Sequence, residues 1–158
     1  MPPPAAGDPG SSTLREYHRV LVGISWALIA GVAVMAGGAW FLVTTGTFTP
    51  FLGFTAPVRI GIAVFLVLLL LAAGPLERAV GGGEPPEDEA AALGRVQTRV
   101  MVGMAVRDAV GAMAAVLILL SGDLLVGGSV AAATLVAMAS DLPTIDDLEA
   151  AVRGFEDP

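Results

Sequence analysis

Cysteine is absent from the 158-residue chain, which excludes disulfides, thiolate nucleophiles, iron–sulfur ligation and cysteine zinc sites. Lysine is absent too: all eight cations are arginines, so no side-chain amine is available for Schiff-base chemistry. His18 is the single imidazole and precedes the first apolar run, which excludes a multi-histidine metal site or histidine ligation of haem inside the membrane within one chain. None of HExxH, GxSxG, a phosphate-binding glycine loop or a DxD pair occurs. Without a nucleophile and base constellation, the chain is expected to be no enzyme and to carry no metal or cofactor. Charge is scarce as well, at 15% of residues, where a soluble domain carries roughly a quarter.

What is present is apolar: 55% of residues are hydrophobic and the mean hydropathy is +0.79. The fold class expected is all-α, a polytopic integral membrane protein with four transmembrane helices and a short C-terminal amphipathic helix. Residues 1–13, rich in Pro, Gly and Ser, read as a disordered tail. Spans are expected at about 20–43, 58–76, 97–120 and 124–140, the last one short or tilted. A cytoplasmic loop covers 77–95 and a tail covers 141–158. The first run is longer than a signal-peptide core, so it reads as a retained helix. The net charge of −7 comes mostly from two soluble stretches, Glu77–Glu89 and Asp141–Asp157, and nucleic acid is no expected partner.

Arginine counts set the orientation. Arg15, Arg19, Arg78, Arg95, Arg99 and Arg153 fall on the side holding both termini, and only Arg59 falls opposite. Both termini are therefore expected in the cytoplasm, in a cell (inner) membrane, with Arg15, Arg19, Arg95 and Arg99 as interfacial anchors to lipid headgroups. Gly31, Gly37 and Gly38 in the first span, Gly103 and Gly111 in the third, and Gly127 and Gly128 in the fourth supply small surfaces for helix packing. Helices one, three and four are expected to form the core, with helix two on the lipid side. Thr144, three residues before Asp147, resembles a capping box. It opens a helix whose apolar positions Ile145, Leu148, Val152 and Phe155 suit the membrane surface or the second loop. The acidic "EPPEDE" reads as solvated loop.

Arg107 and Asp108 interrupt the third span near its expected midpoint, where each charge costs about 2.5–3.5 kcal/mol on insertion scales. Three readings are open. The pair can be an internal lock, each partly satisfying the other with help from Ser25, Ser129 or Thr134. It can bridge subunits. Or Asp108 can be a mid-membrane carboxylate that carries a proton or ion, a role the neighbouring guanidinium opposes.

The stretch "RVQTRVMVGMAVRDAVGAMAAVLILLSGDLLVGG", continuing to "DLPTIDDLEAAV", resembles a recurring type of small, uncharacterised four-helix bacterial membrane protein. In that type a third helix with a basic start and one acidic residue runs into a Gly-containing turn, and a proline-led tail helix follows the fourth span. A hairpin with one carboxylate on its returning helix is similar in layout to ATP-synthase rotor-ring subunits, a resemblance that implies an ion-binding role for Asp108. This chain departs from the rotor pattern in its loop, which lacks Arg-Gln-Pro, and in Arg107. The function expected is that of a non-enzymatic structural or accessory membrane protein. Its partners are the lipid bilayer and either further copies of itself, as a homo-oligomer, or a larger membrane complex. The alternative is a small proton- or ion-translocating element using Asp108.

Overall fold

The computed structural model describes residues 9–82 and 88–156, and these form five helices: α1 Pro9–Thr44, α2 Ala56–Gly81, α3 Glu89–Ser121, α4 Leu124–Ser140 and α5 Ile145–Glu156. Three of them, α1, α2 and α3, contain windows apolar and long enough to cross a membrane; α4, at 17 residues, is shorter. No strand occurs among the described residues.

Helix boundaries follow local chemistry. α2 opens with Pro57 in its first turn, where a missing N–H costs nothing. α3 opens on the Asp88 carboxylate, which accepts the Ala91 N–H at 2.7 Å, and closes at Gly122 in the left-handed region (φ 68°), the C-terminal signal a glycine permits. One residue later Asp123 caps α4 by accepting the Val126 N–H at 3.0 Å. Three boundaries differ from the sequence reading. α1 begins at Pro9 inside the expected 1–13 tail, whose first eight residues lie outside the described ones. α2 runs on to Gly81 and α3 starts at Glu89, so helix occupies much of the expected 77–95 loop. Most of "EPPEDE" also lies outside the described residues.

α3 is the axis of the bundle and touches each of the other four helices, whereas α1 and α2 do not meet among the described residues. Half of the most apolar window of α3 is buried, against 11% of that of α2. α2 is thus the peripheral helix, yet it packs along α3 and also reaches α4. Small side chains set the spacing: Ala36, Ala39, Ala114, Ala115 and Ala131 form most of one buried cluster with Leu66, Val110, Ile118 and Val130. A second cluster joins Ile29 and Val32 to Met104 and Met138.

The third cluster sets the tail helix against Leu93 of the expected second loop and against α1. Leu148 is fully buried against Leu21 and Leu93, with Val96 and Val152 beside them, so α5 docks on α1 and the start of α3. Burying one leucine is worth roughly 1.5–3 kcal/mol, more than a 12-residue helix gains from its own hydrogen bonds in water. Ile145 stays exposed, and the Phe155 side chain lies outside the described residues. Two polar contacts brace the same end: Tyr17 donates to Gln97 Oε1 at 2.6 Å, and His18 Nε2 lies 3.0 Å from the Pro143 carbonyl.

Candidate functional site

Arg107 does not pair with Asp108. Its guanidinium donates from Nη1 to Glu77 Oε1 at 2.5 Å and from Nη2 to Asp141 Oδ2, joining the ends of α2 and α4 across α3. The side chain is 6% exposed, and its Nε is buried with no hydrogen-bond partner among the described residues. The sequence reading counted Glu77 and Asp141 among solvated loop acids; the bundle folds them back onto the one arginine that needs them. A buried guanidinium without a carboxylate would carry an uncompensated charge, at a cost of several kcal/mol. Arg107 also stands at the C-terminal ends of α2 and α4, where a cation offsets the negative ends of both helix dipoles.

Gly103 makes the contact possible. A Cβ built there would fall 1.7 Å from Glu77 Oε1, so the carboxylate occupies the space that any other residue would fill. The other glycines divide sharply. A Cβ at Gly111 would meet the Val32 methyls at 2.5 Å, one at Gly127 would meet Ile118, and one at Gly128 would meet the Trp40 ring at 2.7 Å. Gly31, Gly37 and Gly38 were expected to pack helices, but a Cβ at any of them would meet nothing within 4 Å among the described residues. They lie off the face of α1 that carries Val32, Ala36 and Ala39 into the bundle.

A second ion pair closes the opposite end. Arg59 Nη1 donates to Asp123 Oδ2 at 3.0 Å, and the same aspartate caps α4. The Asp123 carboxyl lies below the ordinary carboxylate range, first because it accepts the Val126 N–H and then because Arg59 stands beside it, against the opposing effect of burial. Arg59 and Glu77 are eighteen residues apart in α2, and Asp123 and Asp141 are eighteen residues apart across α4. Eighteen residues make five helical turns, so both members of each pair share one helix face, about 27 Å apart. The two charge layers therefore bound an apolar slab close in thickness to the roughly 30 Å hydrocarbon core of a bilayer.

The charge layers also locate Asp108 along α3. It stands one residue from the Glu77–Arg107–Asp141 layer, so α3 reaches the middle of the slab near Ala114 and Ala115, about 10 Å farther along. Asp108 is partly buried and makes no hydrogen bond or ion pair among the described residues. The suggested donors are elsewhere: Thr134 donates to the Val130 carbonyl at 2.8 Å, Ser129 is exposed, and Ser25 is buried without a bond to it.

Beside the Arg107 layer lies an open cleft of about 430 Å³ between the end of α2, the start of α3 and the tail, lined by Glu77, Arg99, Arg107, Asp141 and Asp147 over an apolar wall that includes Val96, Val100 and Met104. Thr144 and Asp147 form the reciprocal cap of α5: the Asp147 carboxylate accepts the Thr144 hydroxyl at 2.6 Å and its N–H at 2.9 Å, and the Asp147 N–H reaches back to the hydroxyl at 3.2 Å. The Thr144 hydroxyl is the main cause that holds the Asp147 carboxyl below its usual range, with Arg99 contributing through space. Arg15 and Arg19 are exposed on the first turns of α1. Arg95 is partly buried and Arg99 exposed on α3, one turn apart. Among the described residues no group of three or more His, Cys, Asp or Glu could hold a metal ion. No family model matches the chain, and no curated protein or solved structure matches it either.

Proposed function

We propose that the chain is a four-crossing cell-membrane protein with both termini in the cytoplasm. It is non-enzymatic and acts as a structural or accessory component that associates with further copies of itself or with a larger membrane complex. Three helices already have the length and hydropathy to cross. The two charge layers support a fourth crossing by α4, because each of its ends carries an aspartate tied to an arginine on a longer helix. Arg15, Arg19, Arg95 and Arg99 lie on the Arg107 side of the slab, which supports the cytoplasmic assignment of that side.

The observation that carries the association is the outer face of α1. Gly31, Gly37 and Gly38 leave room that no side chain among the described residues fills. Next to them a shallow apolar groove of about 270 Å³ runs between α1 and α4, edged by Ala33, Gly37, Trp40 and Ala132. Membrane helices associate through small residues that let backbones approach. Arg107, in contrast, has both its carboxylates within one chain, which favours an internal lock over an intersubunit one. Asp108 stands beside the inner charge layer, which supports the carrier reading less than a central position would.

Because the chain has no cysteine, single substitutions give a clean test. Val34, 74% exposed on α1, is replaced by Val34→Cys, and Leu68, exposed on α2, by Leu68→Cys. Oxidation in native membranes is expected to join two Val34→Cys chains through a disulfide and to leave Leu68→Cys monomeric. Linkage at neither position, or equally at both, refutes the α1 interface.

A further inference from the structure

The Glu77–Arg107–Asp141 layer carries one negative charge more than it balances, and the cleft beside it adds Asp147 and Arg99. Two carboxylate oxygens, Oδ1 of Asp141 and of Asp147, take no hydrogen bond among the described residues. Arg99 forms no hydrogen bond or ion pair there and acts on Asp147 only through space. A ligand complementary to these groups carries both signs: an ammonium for the two aspartates and an anion for Arg99. A guanidinium fork matches phosphate oxygens, and a primary ammonium offers three donors to carboxylates.

The described lining contains no aromatic side chain, whereas quaternary ammoniums are held by aromatic faces. The excess of acids disfavours a ligand that is anionic alone. At about 430 Å³ the cleft falls in the range of small-ligand sites, roughly 300–1,000 Å³, and Val100 and Met104 provide a wall for methylene groups. The opening lies at the edge of the apolar slab, the depth of lipid headgroups.

We propose that this cleft binds a phosphate–primary ammonium zwitterion, the chemistry shared by an ethanolamine phospholipid headgroup and its water-soluble glycerol ester. Arg99 holds the phosphate, and Asp141 with Asp147 holds the ammonium. The proposal rests on the reading that the charge layers mark the faces of a bilayer, and it is independent of the α1 association.

Native mass spectrometry of the monomer in mild detergent tests it, with phosphatidylethanolamine, phosphatidylcholine and phosphatidylglycerol supplied at equal amounts. The ethanolamine lipid is expected to be retained about tenfold over the other two, the size of one charge-assisted hydrogen bond. Arg99→Ala is expected to lower that retention by a similar factor. Asp147→Asn, which keeps a capping oxygen, is expected to narrow the preference for ethanolamine over choline. Equal retention of the three lipids, or an Arg99→Ala variant that behaves as wild type, overturns the site. Soluble glycerophosphoethanolamine distinguishes the two sources: displacement of the lipid at equal concentration identifies the soluble compound, and resistance until large excess identifies the lipid. Extraction of the protein from membranes without detergent would refute the bilayer reading itself, a failure separate from loss of headgroup selectivity.

Discussion

Gly103→Ala is predicted to destabilise the protein through Glu77, and the sign of its effect is predicted to reverse when Glu77 is removed. The new methyl would sit 1.7 Å from Glu77 Oε1, so the Glu77 side chain must shift and its present hydrogen bond to Arg107 is broken. A hydrogen bond to a charged group contributes about 1.5–3 kcal/mol, while glycine to alanine inside a helix returns roughly 0.8–1.0 kcal/mol. The net loss in the wild-type background is then about 1–2 kcal/mol. In a Glu77→Ala background no carboxylate is displaced, and the same substitution gains roughly 1 kcal/mol. Unfolding by SDS titration in mixed micelles, applied to the four members of this cycle, yields the coupling directly. A Gly103→Ala effect of the same sign and size in both backgrounds would refute the account of why glycine stands there.

Arg107→Ala is expected to cost about 3–5 kcal/mol, the range for breaking a buried pair, whereas Asp108→Asn should change stability by less than about 1 kcal/mol; equal losses in the same assay would restore a direct Arg107–Asp108 lock. Asp123→Ala should lower stability by about 0.5–2 kcal/mol through the lost α4 cap alone, and hydrogen exchange should increase first at the N–H of Val126. The Asp147 carboxyl is depressed in the folded protein, so its contribution is present above the ordinary carboxylate pKa, near 4, and is lost as pH falls through the lower folded value. Thr144→Val removes the principal cause and should move the Asp147 titration, followed by NMR, upward toward that ordinary value; an unmoved titration would show that the hydroxyl is not the cause.

Much of the helix layout is legible from composition because an apolar run must bury itself or face lipid, whatever its neighbours are. Gly111, Gly127 and Gly128 sit against Val32, Ile118 and Trp40 of neighbouring helices, the close approach that small residues in apolar spans allow, and the Thr144–Asp147 spacing closes into its cap because that contact lies within one helical turn. The partners of Arg107 depend instead on how α2 and α4 are rotated about α3, which no single run encodes. A signal was nevertheless there. The intervals Arg59 to Glu77 and Asp123 to Asp141 both equal five turns, and a matched interval of opposite charges in two helices is what two clamped layers require. Gly31, Gly37 and Gly38 look like the other glycines in sequence because residue type alone does not tell which face of α1 the bundle uses.

The most direct test of the clamp is a disulfide between α2 and α3. Glu77→Cys and Gly103→Cys in this cysteine-free chain would bring two thiols together, because a Cβ at residue 103 lies 2.7 Å from Glu77 Cγ and disulfides need Cβ atoms about 3.5–4.5 Å apart. Oxidation in membranes is predicted to give a faster-migrating monomer on a non-reducing gel, with the bond inside one chain. A disulfide-linked dimer, or free thiols after oxidation, would contradict the intramolecular joining of α2 to Arg107 on which the account depends.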